Sequence, residues 1–210
     1  MNITIIDRGT TFVETAQFQT ARTIVERRSI KQFKPDPVSE ELLYELLNIS
    51  VWAPNHGLRE PWRFILFVDE GKRTLGEAIA GHAVKSRSPE TYMNIPAHLL
   101  VVVQEDPRQR EREEDYAAAC ALIQNFQLAA WERGLGVIWK TEPFTFVPGF
   151  LKSVGVKPGE KLVGLLHVGY PEVIPEARPR TRAEEKLTVV RSSTATEDPH
   201  TDGSIPTGLR

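Results

Sequence analysis

Leu42, Leu43, Leu46, Leu47 and Val51 recur at helical spacing. Ser39 stands ahead of Glu40 and Glu41, an N-cap followed by carboxylates in the positively polarised first turn, so residues 39 to 53 predict an amphipathic helix stopped by Pro54. A shorter helix is expected over about 20 to 28. Arg63 to Val68 and Leu99 to Val103 are short, apolar runs that read as buried strands. The longest helix is expected from about Glu113 to Arg133. Its alanines, among them Ala117, Ala118, Ala121, Ala129 and Ala130, give it a small-sided surface that predicts close packing on another helix. Gly134 can end it in the left-handed conformation, and Gly136 to Lys140 and Lys161 to Tyr170 complete the strands.

At 210 residues the chain suits one buried core, with α/β and α+β as the open classes. Residues 1 to 19 carry no sustained period and are expected to form an extension, 20 to 191 the domain, and 192 to 210, rich in Ser, Thr, Asp, Pro and Gly, a disordered tail. The 26 Lys and Arg are scattered among 28 Asp and Glu, which disfavours a nucleic-acid partner and favours a small molecule. No apolar stretch approaches the ~20 residues that span a bilayer. The single Cys120, with no secretory start, points to a cytoplasmic setting. No dinucleotide or P-loop glycine pattern is present, and His56, His82, His98, His167 and His200 show no metal-ligand spacing, so no metal site is expected.

Four segments carry candidate chemistry. Arg27-Arg28-Ser29-Ile30-Lys31 offers planar guanidinium forks, a hydroxyl and a compact charge, suited to a phosphate and an electron-rich ligand edge; the same run also reads as a solvated helix end. Trp52-Ala53-Pro54-Asn55-His56-Gly57 with Pro61-Trp62 is a turn that can aim polar groups into a cleft, or a structural turn with Trp in the core. Trp139-Lys140-Thr141-Glu142 follows a buried strand, where polar residues often line a site. Arg178-Pro179-Arg180-Thr181-Arg182 is a stiff basic strip that could complete a phosphate site or lie solvated.

Taken in order with Gly134-Leu135-Gly136 and Val168-Gly169-Tyr170-Pro171, these segments resemble the nitroreductase family of flavoenzymes over roughly residues 20 to 190, and in particular its compact YdjA-like branch. The resemblance implies an α+β three-layer sandwich with a central mixed, mainly antiparallel sheet flanked by helices, in an intertwined homodimer with FMN at the subunit interface. It implies Arg27, Arg28, Ser29 and Lys31 on FMN from one subunit, with Lys31 near the pyrimidine edge as the catalytic charge. Trp52, Asn55 and His56 would reach the same flavin from the other subunit. Trp139, Lys140 and Thr141 would line the ring, and Arg178 with Arg180 would close on the phosphate.

The implied reaction takes a hydride from NADH or NADPH to flavin N5 and then to a small-molecule acceptor such as a nitroaromatic or quinone, in a ping-pong cycle. A lysine beside the pyrimidine end stabilises the negative charge that reduction places there. Where many family members have a Gly-rich or acidic stretch after the Gly-Leu-Gly strand, this chain has Trp-Lys-Thr-Glu, so the N5 contact falls to a backbone amide near Thr141 or Glu142. Between Gly81 and Ile95, His82, Lys85, Arg87 and Tyr92 either touch nicotinamide or substrate or coat the surface. The alternatives are a flavin-destroying or dehalogenating enzyme of the same fold, or a flavin-binding protein without turnover.

Overall fold

The computed structural model describes residues 18–85 and 87–190. Most of the expected extension and the expected tail from 192 lie outside the described residues. The chain divides into two compact units at Ala177/Arg178.

The first unit is built on a four-stranded sheet in the order β1-β2-β4-β3. Its strands are β1 (Trp62–Phe67), β2 (Ala97–Gln104), β3 (Gly136–Lys140) and β4 (Glu160–Gly169). Each of these pairs is antiparallel. Among the described residues, the parallel component expected of a mixed sheet is present as the Ser29 to Val137 bridge. The inner strands β2 and β4 are buried on both faces, which is why both read as continuous apolar runs and not as alternating ones.

Helices cover the sheet on both sides. On one face Leu99, Val101, Val103, Leu166 and Val168 pack against α2 (Glu40–Ser50) and α5 (Gln109–Glu132). On the other, Leu100, Val102, Leu162 and Leu165 meet α3 (Gly71–His82), α4 (Glu90–Met93) and α6 (Pro148–Ser153). A shorter helix, α1 (Gln19–Glu26), reaches the end of α5 through Thr23, whose hydroxyl lies 3.0 Å from Glu132 Oε1.

Local chemistry sets the boundaries. Ser39 caps α2 by accepting the Leu42 N–H at 3.3 Å, and Leu43, Leu46 and Ser50 form its buried stripe. Helix α5 begins at Gln109, a turn earlier than its apolar pattern indicates, because its first turns are polar and held by exposed pairs such as Arg110–Glu114 at 2.8 Å. Gly134, at φ +75, ends it: Leu135 N–H donates to Ala130 O at 2.9 Å and Gly134 N–H to Trp131 O at 3.0 Å, the paired bonds of a Schellman stop. The small-sided surface of α5 packs on α2 within one subunit.

The second unit, within the described residues, holds a 3₁₀ turn, Ala183–Lys186, opened by the Arg182 N–H donating to Glu185 Oε1 at 3.3 Å.

At the start of β3 the backbone of Gly136 lies against Ile30, which is fully buried; a Cβ at Gly136 would stand 2.7 Å from Ile30 Cβ. Gly136→Ala is therefore expected to destabilise the protein by about 1–3 kcal/mol through overpacking, and a smaller residue at Ile30 to recover part of the loss. Thermal unfolding of the two single variants and the double variant checks this; an unchanged Gly136→Ala midpoint would contradict it.

Candidate functional site

The strip from Arg27 to Lys31 lies beyond α1, not within it. Arg27 leaves helical geometry at φ −55, ψ 135, with its N–H donating to Thr23 O at 2.9 Å. From there the chain runs along the free edge of β3. Ser29 bridges Val137, and Ile30 N–H donates to Val137 O at 3.2 Å. Further on, Phe33 bridges Pro171 and Lys34 N–H donates to Tyr170 O at 2.9 Å, so the strip is stitched to the ends of two strands. Because successive residues of an extended chain face opposite ways, burying Ile30 turns Ser29 and Lys31 outward, and both are exposed. Arg28 folds back, its Nη1 donating to Val25 O at 2.6 Å and Arg27 O at 2.9 Å.

The far end of β3 brings Trp139, Lys140 and Thr141. The Trp139 indole packs against Gly164, where a Cβ would stand 2.8 Å from its Cδ1, and Nε1 donates to Val163 O at 3.1 Å. Thr141 is exposed. Lys140 Nζ pairs with Glu142 at 3.0 Å, and Arg87 pairs with the same carboxylate at 2.5 Å while its Nη1 donates to the Tyr92 hydroxyl at 3.1 Å. Burial pushes the Glu142 carboxyl up, and the two cations more than offset this, holding it below the usual carboxylate range. Of the residues left open between surface and site, Arg87 thus ties its loop to the exit of β3, and Tyr92 is buried beneath it.

Sequence reasoning missed a histidine pair. His98 and His167 face each other across β2 and β4, with Nδ1 to Nδ1 at 2.7 Å, and His98 Nε2 lies 2.9 Å from Tyr92 O. A carbonyl only accepts, so His98 carries its proton on Nε2 and its Nδ1 accepts from His167 Nδ1–H. Burial pushes the His98 imidazole down to about 4 and His167 well below its ordinary value. Both are neutral in the fold. The pair lies 69 residues apart in sequence, so no local spacing announces it.

The Pro-Asn-His turn sits elsewhere on the unit. Asn55 is turned inward on its own loop: its Oδ1 accepts the Glu60 N–H at 3.0 Å and its Nδ2 donates to Ala53 O at 3.3 Å. His56 is exposed, and Trp52 is 87% exposed beside Tyr44 and Ile49, where an open cleft of about 660 Å³ runs along α2. Trp52 is thus a surface residue and not a core one. Arg59, on the same turn, reaches Asp115 in the first half of α5, whereas α1 reaches Glu132 at the end of that helix. Those two anchors are seventeen residues apart, about 25 Å along the helix axis. The structure therefore places Ser29 and Lys31 along β3 beside the end of α5 and the His56 turn beside the first half of that helix, while Trp52 shares its cleft with Glu45, which pairs with Arg133 just past the end of α5. Arg178 and Arg180 belong to the second unit, where Arg180 Nη1 donates to Arg178 O at 3.1 Å.

Among the described residues, no group of three or more His, Cys, Asp or Glu is placed to hold a metal ion, and no helix is long and apolar enough to cross a membrane. Burial pushes the Cys120 thiol up, away from nucleophilic character.

With this geometry in place, comparison with known proteins defines the class. The model of the nitroreductase family matches residues 24–170. The Bacillus subtilis (strain 168) protein named "Putative NAD(P)H nitroreductase YfhC" is 36% identical over 184 residues, covering 82% of this chain and 95% of that protein. The crystal structure of a nitroreductase-like family protein from Bacillus cereus superposes with a TM-score of 0.77 at 40% identity, covering 87% of this chain and 99% of that one. A nitroreductase-type protein from Desulfovibrio desulfuricans, solved in complex with FMN, gives a TM-score of 0.67 at 25% identity, covering 82% and 98%. The chain belongs to the nitroreductase family.

The histidine pair makes the fold acid-sensitive in a defined window. The unfolded imidazole takes up a proton near pH 6.5, but folded His98 does so only near 4. Stability is therefore fully present above about 6.5 and falls as pH drops toward 4, by on the order of 3 kcal/mol for His98 alone. Replacing both histidines with apolar residues of similar volume is expected to flatten the stability profile between pH 6.5 and 4. Denaturant titrations across that range check it; an unchanged slope would contradict the assignment.

Proposed function

We propose that this protein is an FMN-dependent oxidoreductase that takes reducing equivalents from NADH or NADPH and passes them to small-molecule acceptors such as nitroaromatics or quinones. The observation that carries the reading is the latching of the Arg27–Lys31 strip to the edge of β3, which sets an outward hydroxyl and an outward ammonium side by side along a rigid strand. The relatives' names and the FMN complex of a 25%-identical relative support the cofactor.

The residues present fit this group. A phosphomonoester needs N–H and O–H donors, which Arg27, Arg28 and Ser29 carry in consecutive positions, and Arg28 has further guanidinium donors besides the Nη1 turned to the backbone. Lys31 is a compact cation two residues on, suited to the pyrimidine edge of an isoalloxazine. When bound, FMN supplies the hydride-accepting and hydride-donating chemistry. The protein's part is to orient the ring and to hold positive charge where the reduced form becomes anionic, the role assigned to Lys31. Lys140 ends the same strand and Thr141 follows it, and the Thr141 and Glu142 amides are the donors that would serve the N5 side of a bound flavin. Trp139, packed on β4, shapes that end from below. The placement of Arg178 and Arg180 on the phosphate rests on the family resemblance alone.

The separation of about 25 Å along α5 bears on assembly. If His56 serves the same flavin as Lys31, it serves it from a second subunit, as a homodimer with FMN at its interface provides; Trp52 is assigned there by the family resemblance. The exposed Trp52, Tyr44 and Ile49 give such a partner an apolar face to cover.

The purified protein is expected to be yellow, or to become so on adding FMN, and to bleach on adding NADH or NADPH. A protein that cannot be reconstituted with FMN would overturn the reading. Lys31→Ala is expected to weaken FMN binding and to slow flavin reduction by at least tenfold, on the scale of losing one preorganised charge contact. Unchanged occupancy and reduction rate would remove Lys31 from the mechanism.

A further inference from the structure

The turn that carries Asn55 and His56 is held in an unusual shape. Between its strand and helix neighbours, three residues, Gly57, Leu58 and Glu60, take positive φ values of 63, 50 and 44. Glycine adopts this conformation freely, whereas leucine and glutamate do so at a cost of about 1 kcal/mol or more each. Leu58 is also 82% exposed, so no burial of its side chain compensates. Such a conformation persists only where surrounding contacts over-determine it.

Those contacts converge on Arg59. Its Nη2 lies 2.9 Å from Asp106 Oδ2 at the end of β2 and 2.8 Å from Asp115 Oδ2 on α5. Both acceptors are themselves fixed. The Asp115 side chain is 4% exposed, and Asp106 accepts from the Arg108 backbone N–H at 2.9 Å and from its guanidinium at 3.0 Å. The Arg108 and Arg59 guanidiniums hold the Asp106 carboxyl well below its usual range, so the clamp stays charged at neutral pH. The turn's other bonds, Asn55 Oδ1 to the Glu60 N–H and Pro61 O to the Gln104 N–H at 3.2 Å, set its base but do not reach α5. The clamp therefore joins the strained residues to the core helix directly.

We propose that Arg59 is a positioning residue for the cofactor site: by clamping the turn to Asp106 and Asp115 it fixes the exposed His56 and the strained Leu58 in the arrangement in which they meet the flavin held by the partner subunit. This rests on the reading of the turn as part of an FMN site. Arg59 does not touch the cofactor. It removes the ordering that the turn would otherwise undergo on binding, so affinity depends on the clamp although Arg59 itself makes no ligand contact.

The test compares Arg59→Met, Arg59→Lys and His56→Ala in the full-length protein. Because Arg59→Met leaves Asp115 buried without its cation, an Arg59→Met/Asp115→Asn protein accompanies it and keeps the test interpretable if the single variant folds poorly. FMN dissociation constants are measured by flavin fluorescence, together with the unfolding midpoint and amide hydrogen exchange of residues 57 to 60. The proposal expects FMN binding about tenfold weaker in both methionine proteins, in line with losses on removing groups that orient a ligand-binding residue, with faster exchange confined to the turn and substantial rescue by lysine. A lowered midpoint with FMN affinity unchanged would mean a purely structural clamp and overturn the proposal. Should His56→Ala leave FMN affinity unchanged, the reading of the turn as a cofactor segment is what fails. If His56→Ala weakens FMN while the folded Arg59 variants do not, the clamp alone is refuted.

Discussion

The approach of Ile30 to Gly136 is the contact on which the arrangement depends. Glycine at the first position of β3 leaves a gap that the buried Ile30 side chain fills, and filling it pulls the chain beyond α1 onto the strand edge. The Ser29–Val137 bridge and the Ile30 N–H bond follow from that seat. Outward placement of Ser29 and Lys31 is then a consequence of strand alternation and needs no contact of its own. A run of cations that would otherwise fray at a helix end becomes an ordered rail beside a sheet.

The two ends of α5 organise the rest. At its C-terminal end Thr23 joins α1, and with it the strip, to Glu132; nearer its start Asp115 receives Arg59 and with it the Asn55–Glu60 turn. One rigid helix thus anchors the strip and the His56 turn about seventeen residues apart, the spacing behind the proposal that they serve one flavin from different subunits. The His98–His167 pair plays a quieter part, stitching the two central strands beneath the exit of β3 where Arg87, Lys140 and Glu142 meet.

Much of the fold was legible because burial writes itself into local pattern. The strands β2 and β4, covered on both faces, read as unbroken apolar runs, and α2 announced itself through Ser39 and a regular leucine stripe. Helix α3 did not, since Gly71, Gly76 and Gly81 depress its helical propensity; Gly76 is there because Pro89 packs so closely that a Cβ would stand 2.9 Å from its carbonyl oxygen. The early turns of α5 were hidden by their charges. For the site, residue types were readable but partners were not. Arg27 to Lys31 could be named from composition, whereas the Gly136 seat, the Arg59 clamp reaching 56 residues to Asp115, and the engagement of Asn55 with its own loop all depend on long-range or turn geometry that no short window contains.

The central claim is that a single flavin site is assembled from the β3-edge strip of one subunit and the His56 turn of another. A crystal structure of the FMN-loaded protein tests it most directly. The account expects the phosphate among Arg27, Arg28 and Ser29, Lys31 beside the pyrimidine edge, and His56 of the partner subunit against the same flavin. Flavin density bounded by residues of one subunit only, or lying away from the strip altogether, would contradict it.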